Sequence, residues 1–184
     1  MTYPRTLAAD AKVYDVFAMR PATFEPFTET CERIMRGPSP LSPAQRELIG
    51  TFVSRLNSCP YCHDVHNQAV KAYGINGDLT RQLLEDPSSA DIDDDFKVLL
   101  NFVRKITEGA YRVSGSDYDE LYTAGWSDDA IHDAIVVTCL FNFMNRLVSS
   151  LGIEADDEYL ALAGSRIKND GYTSSMVDAM GRSD

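Results

Sequence analysis

Apolar residues along this chain recur at helical spacing almost throughout, and no segment sustains the period-two alternation of a half-buried strand. That pattern predicts an all-α bundle in a single domain. A first helix is expected over Leu7 to Met19, and a second from Pro21 to Arg36, where Gly37-Pro38 stops it. Ser42-Pro43, a cap followed by a first-turn proline, opens a third helix that reaches about Asn57. A fourth begins at Cys59 or Pro60 and ends at Gly74, and a short one covers Leu79 to Leu84 before the acidic loop Asp86 to Asp94. The stretch Asp93 to Glu108 puts Phe96, Leu99, Leu100, Val103 and Ile106 on one face. Ser116 and Asp119 form a capping-box-like start for a helix closed by Gly125, and Ser127 caps the helix that carries Ile131 to Leu151 up to Gly152. A last helix is expected over Asp157 to Gly164, followed by a loosely held polar tail from Asn169. The 184 residues suffice for one hydrophobic core and contain no obvious linker. The expected domain is therefore 1–184, with its core at about 21–154 and its polar tail at 169–184.

Net charge is −11 with no run of Lys or Arg, so phosphate backbones and anionic lipid would repel the chain. Neither nucleic acid nor membrane is an expected partner. Met1 to Asp10 lacks the basic-then-apolar pattern of a secretory signal. The longest apolar run, Ala134 to Met144, is interrupted by Thr138 and Asn142 and is too short to span a bilayer. A cytoplasmic protein is expected. Four cysteines in that reducing compartment point away from a disulfide scaffold and toward redox or metal chemistry at any clustered pair.

The clustered pair stands in Ser58-Cys59-Pro60-Tyr61-Cys62-His63-Asp64-Val65-His66. On a helix at about 100° per residue, Cys59, Cys62 and His66 share a narrow stripe with Val65, Ala69, Val70 and Tyr73. Asp64, Asn67, Gln68 and Lys71 lie opposite, His63 sits at the edge, and Tyr61 falls on the other side. Side chains three apart on a helix have Cβ atoms about 5–6 Å apart, which suits a dithiol that closes to a disulfide. Pro60 at the first helical position makes Cys59 the cap. The helix-end N–H groups and dipole then lower thiol pKa, most of all at Cys59. His66, one turn beyond Cys62, can take its proton.

Glu47 lies on the preceding helix about 15 Å before the turn at Asn57-Ser58, and His66 about 10 Å after it, at 1.5 Å per residue. An antiparallel return brings the two within about a turn of each other. Glu47, Thr51, Ser54 and Ser58 form one polar stripe opposite Leu48, Ile49, Phe52, Val53 and Leu56, as a lined polar pocket would require. Zinc could use Cys59, Cys62 and His66 with Glu47 or His63, but structural zinc usually takes two ligand pairs, and no second pair exists. Cys59 to His63 also fits the minimal c-type haem attachment pattern, which belongs to exported chains and leaves Glu47 and His66 without a role. Cys31 and Cys139, each alone among apolar helical neighbours, read as core filler. His132 reads as an ordinary helix residue, and Asn145 and Arg146 as groups that cap carbonyls or bridge a carboxylate.

Glu47, eleven residues, Cys59, two residues, Cys62, three residues, His66 resembles the signature of AhpD-type alkylhydroperoxidases in the carboxymuconolactone decarboxylase superfamily. Met35-Arg36-Gly37-Pro38-Ser39-Pro40-Leu41-Ser42 and Phe141-Asn142-Phe143-Met144-Asn145-Arg146 are similar to its peroxidase-related branch, so the resemblance spans about Pro21 to Glu154. Decarboxylase members lack the cysteine pair. The resemblance implies an AhpD-like, homo-oligomeric bundle with a hydroperoxide substrate, an external dithiol reductant, and no metal or organic cofactor. It implies that Cys62 forms the sulfenic acid and that Cys59 donates a proton and resolves it. Well-known members place a histidine between the cysteines where this chain has Tyr61, which implies a shorter proton relay. The rival readings are a dithiol–disulfide reductase or redox sensor using the same pair, and a metal-binding or structural oligomer.

Overall fold

The structure, a computed structural model, describes residues 2–86 and 89–180. Within them the chain forms nine α-helices and no strand. They are α1 (Val13–Ala18), α2 (Pro21–Arg36), α3 (Pro43–Leu56), α4 (Pro60–Ala72), α5 (Leu79–Glu85), α6 (Asp94–Gly109), α7 (Gly115–Thr123), α8 (Asp128–Leu151) and α9 (Asp157–Met180).

One apolar cluster joins α2, α3, α5, α6 and α8 around Met35, Ile49, Phe52, Leu99, Leu100 and Phe141. A second joins α1, α4, α8 and α9 around Val16, Cys59, Cys62, Val65, Ala69 and Ile167. The α3–α4 hairpin lies between the two. Its turn is a Schellman motif: Cys59 N–H bonds Ser54 O at 3.0 Å and Ser58 N–H bonds Arg55 O at 3.1 Å. Ser58 takes the left-handed conformation, φ 52°, a position usually filled by glycine. This motif ends α3 and makes Cys59 the first residue before α4.

Five sequence expectations need correction. The first helix begins at Val13 rather than Leu7, because Asp15 accepts from the Lys12 N–H at 2.7 Å and so sets the helix start there. The box that starts α7 is Ser114 with Asp117, not Ser116 with Asp119. Both registers offer a Ser and an Asp, but Lys105 reaches Asp117 at 2.6 Å and favours the earlier one. Cys139 is exposed, since Val137, Thr138, Leu140 and Phe141 occupy the inward side of α8. The helix around the apolar run is 24 residues long and apolar enough by composition to cross a membrane. Its inward side, about a third of the apolar stretch, packs on α2, α3, α4 and α6.

The fifth correction bears on the site. The tail expected to be loose from Asn169 continues α9 as far as Met180, interrupted only at Gly171, where φ 74° and ψ −159° break the helix. Residues 181–184 lie outside the described residues. Ile167 and the residue after the break, Tyr172, pack into the apolar clusters, so the chain next to the break is held by burial that its polar composition conceals.

Candidate active site

Cys59 and Cys62 are free thiols, 2% and 4% exposed, at the start of α4. The Cys62 thiol bonds the Cys59 sulfur, and this bond is the main cause that lowers Cys59 to about 6, against burial, which pushes it up. The Ser149 side chain, the Cys62 backbone N–H and a positive His66 add to the lowering. Cys62 moves the other way, well above the ordinary thiol range, because the Cys59 sulfur holds its proton and burial disfavours a second anion. Asn145 opposes that rise. The pair therefore shares one proton, with the negative charge resting on Cys59 at the helix start.

Glu47 and His66 meet directly: Nδ1 of His66 lies 2.8 Å from Oε2 of Glu47. A carboxylate only accepts, so Nδ1 carries the proton and Nε2 is left as the basic nitrogen. Glu47 is 0% exposed and its other oxygen, Oε1, accepts from Oη of Tyr172 at 2.6 Å. The His66 ring stands edge-on to Phe141 at 4.7 Å and nearly parallel to Tyr172 at 6.1 Å between centroids. Phe141 in turn sits so close over Gly50 of α3 that no Cβ could be accommodated there. Glycine on α3 thus lets the aromatic ring approach and hold the imidazole.

The rest of the polar stripe on α3 is buried and internally bonded. Thr51 donates to Glu47 O and Ser54 to Gly50 O, each at 2.8 Å. Asn145 donates to Ser54 Oγ at 2.9 Å and accepts from Asn57 Nδ2 at 2.9 Å. With Ser149 one turn further along α8, Asn145 brings a second helix to the sulfurs. Arg146 instead bonds Asn142 of its own helix.

A cavity of about 90 Å³ opens on this assembly. Cys62 and His66 stand in its wall, together with mostly apolar side chains such as Val13, Phe17, Leu140, Met144 and Ile167. Cys31 lines it too, with burial pushing its thiol up to about 12. Tyr61, expected on the far side of α4, is buried and also lines the cavity; its Oη bonds Tyr159 Oη at 3.0 Å and the Val13 N–H at 3.3 Å. The cause is tertiary: α9 packs along α4 and Val13 of α1 reaches the Tyr61 hydroxyl, so the side of the turn that carries Tyr61 is covered. His63 points elsewhere, to Asp64 at 2.7 Å and Thr80 of α5 at 3.2 Å. His132 is an exposed residue beside Asp133, as read from the sequence. Among the described residues, no three His, Cys, Asp or Glu side chains gather into a metal-binding group.

All four residues singled out in the sequence, Glu47, Cys59, Cys62 and His66, thus meet on the α3–α4 hairpin. Ser149, Tyr172, Tyr61 and Tyr159 were not foreseen. Ser149 had a signal, one helical turn beyond Asn145, whereas Tyr172 had none within its polar surroundings.

The acidic thiol carries a pH dependence of known sign. A depressed folded-state pKa gives stability that is present above the unfolded value and lost as pH falls through the folded one. Thiolate absorbance is expected to titrate with a midpoint near 6, and the stability contributed by this thiol to fall as pH drops from the ordinary thiol range to that midpoint, with no further loss from it below. Ser149→Ala should move the midpoint upward. A midpoint in the ordinary thiol range in the wild type would remove this account of Cys59.

The model of the Carboxymuconolactone decarboxylase family matches residues 21–84, which include α2 to α5 up to Leu84. No curated protein sequence matches the chain. Among solved structures, an uncharacterized peroxidase-related protein from Silicibacter sp. TM1040 aligns with TM-score 0.74 and 30% identity over 80% of this chain and 78% of its own. An alkylhydroperoxidase AhpD core, an uncharacterized peroxidase-related protein from Ralstonia eutropha JMP134, aligns with TM-score 0.73 and 25% identity over 81% and 78%. A protein of unknown function from Agrobacterium tumefaciens shares the fold at TM-score 0.63 and 18% identity, over 79% of this chain and 97% of its own. With the family model on the helices that build the site and the first of these relatives aligned over most of both chains, this chain belongs to the AhpD-like, peroxidase-related branch of the carboxymuconolactone decarboxylase superfamily.

Proposed function

We propose that this protein is a cytoplasmic thiol peroxidase that reduces hydrogen peroxide or alkyl hydroperoxides through a Cys59–Cys62 dithiol cycle. The observation that carries the reading is a cysteine pair sharing one proton beside an imidazole oriented by a buried carboxylate, at the wall of an apolar cavity. The cavity reaches Cys62, so a peroxide entering it meets that sulfur first.

Cys62 loses its proton to the Cys59 sulfur or to Nε2 of His66, and the Cys62 thiolate attacks the terminal peroxide oxygen. The O–O bond breaks, Cys62 becomes the sulfenic acid, and the departing alkoxide takes a proton from the Cys59 thiol or the imidazolium and leaves as an alcohol. The Cys59 thiolate then attacks Cys62, the S–O bond breaks, the departing hydroxide takes up a proton from solvent and leaves as water, and the disulfide forms. Two electrons pass from the dithiol to the peroxide, and an external dithiol restores them by thiol–disulfide exchange. The apolar lining supports alkyl hydroperoxides as the better substrates. Such chemistry needs neither a metal nor an organic cofactor.

One equivalent of hydroperoxide is expected to consume two thiols per chain and link Cys59 to Cys62, as read by thiol counting and peptide mapping. Cys31, whose burial holds its proton, and Cys139, on the outer side of α8, should stay reduced. Four free thiols after prolonged exposure would exclude the peroxidase reading.

A further inference from the structure

The reaction above uses one oxygen of Glu47; the second is occupied by Tyr172, a residue from the far end of the chain. Glu47 is fully buried, so its two oxygens depend on protein donors, and they receive His66 Nδ1 at 2.8 Å and Tyr172 Oη at 2.6 Å. The Tyr172 ring also lies nearly parallel to the His66 ring, with 18° between planes. One side chain thus touches both members of the Glu47–His66 couple, through its hydroxyl and through its face.

The backbone that presents Tyr172 is specialised for the task. Gly171 breaks α9 at φ 74° and ψ −159°, a conformation essentially restricted to glycine. The Tyr172 N–H bonds Glu32 Oε2 at 2.6 Å, and a Cβ on Gly171 would stand 2.5 Å from that same carboxylate oxygen. Glu32 on α2 therefore seats the break, and the break turns Tyr172 onto Glu47.

We propose that Tyr172 is a positioning residue of the proton relay, holding Glu47 as the anionic anchor of His66 and setting the proton affinity of the Glu47–His66 couple. The proposal rests on the peroxidase reading for its kinetic consequence, though not for the couple itself. A hydrogen bond donated to an anion favours the deprotonated state. With the hydroxyl present, the couple keeps its extra proton less tightly, and Nε2 stays free to accept one from Cys62. Removing the hydroxyl leaves Glu47 Oε1 without this donor, so the couple binds a proton more tightly and His66 stays cationic to higher pH. Hydrogen bonds to charged groups are strong enough to move such a titration by about one pH unit or more.

The other charged or titratable groups facing this couple include Arg46 on α3, Cys59 just before α4, Cys62 on it and Tyr73 just after it, and Tyr14 on α1. Cys31 and Glu32 face it from α2. None of these groups is altered by Tyr172→Phe, which also keeps the ring against His66.

The test is Tyr172→Phe in the full chain, with three readouts against the wild type. They are the imidazole titration of His66 by NMR, resolved from His63 and His132, the pH dependence of thiol oxidation by an alkyl hydroperoxide, and thermal stability. The expected result is an upward move of the His66 titration by about one pH unit. The acidic limb of oxidation should follow it, with a roughly tenfold slower reaction at neutral pH. Gly171→Ala should produce the same upward move with a lower melting temperature, because it displaces Tyr172 by its backbone. An unchanged His66 titration in Tyr172→Phe, whether or not stability falls, overturns the proposal and leaves Tyr172 a packing residue. If the wild type itself is inert to peroxide, the peroxidase reading fails, and the NMR titration alone decides the role of Tyr172.

Discussion

Cys62→Ser is expected to lose peroxide turnover by on the order of a thousandfold or more, because a serine hydroxyl in the same place is not ionised at neutral pH and cannot carry a sulfenic acid. Cys59→Ser should behave differently. It should reduce one equivalent of hydroperoxide, stop, and leave a sulfenic acid on Cys62 that a dimedone-type reagent traps. Access and acidity favour different sulfurs. In the reduced pair the anion sits on Cys59, which is lowered to about 6, while Cys62 holds the shared proton. Acidity alone therefore names Cys59 as the nucleophile. The cavity, however, has Cys62 in its wall, and the thiolate needed there is one proton transfer away across the existing Cys62–Cys59 hydrogen bond. Replacing Cys59 removes the group that raises Cys62 most, so Cys62 should titrate lower in that variant and remain reactive. A trapped sulfenic acid on Cys59 in the Cys62→Ser protein would exchange the two roles.

This division of labour shows how far the sequence carries. Helix starts at Pro21, Pro43 and Pro60 are local events, fixed by a cap or a first-turn proline, and the structure has helices starting at each of them. The Glu47–His66 contact was equally accessible, since rise per residue on two antiparallel helices is enough to bring them together. An acidic Cys59 was expected from the helix end before Pro60, whereas the lowering comes chiefly from the Cys62 thiol, and the Cys62 backbone N–H adds only a smaller part.

The missing parts are those supplied by distant chain. Tyr61 looked outward on the helical projection, and only the cover from α1 and α9 buries it. Tyr172 lies 125 residues from Glu47, in a segment whose composition resembles a solvated tail. Its placement depends on one glycine and one carboxylate, Gly171 and Glu32, neither of which is part of a local motif. Cys139 failed for the converse reason. Apolar neighbours in sequence lie on several sides of a helix, and Cys139 falls on the outer side of α8. Periodicity reads faces reliably where one side is wet and one dry, and poorly on a helix as uniformly apolar as α8.

His66→Ala carries the second large effect, and it separates a working relay from a bare dithiol. His66 is fixed on three sides, by Glu47 at Nδ1, by the edge of Phe141 and by the face of Tyr172, which leaves Nε2 as the one basic position. Positioned general bases contribute about 10²–10⁴-fold, so the alanine variant should oxidise more than tenfold more slowly at neutral pH. Cys59 should also titrate higher in this variant, because the positive imidazole is one of the groups that lower it. Glu47→Gln should cost less. It keeps the size of the side chain and can still accept from Nδ1, but it removes the charge that stabilises an imidazolium. Because Glu47 acts through His66, the double variant should be little slower than His66→Ala alone, as groups acting as one unit are not additive. Both side chains are buried or nearly so, and each substitution can also loosen the α3–α4 hairpin. The comparison therefore uses thiol reactivity against pH in all four proteins at matched helicity. Profiles that superimpose would exclude the relay, and a Glu47→Gln loss that adds fully to the His66→Ala loss would show that the carboxylate acts on the sulfurs by a route of its own.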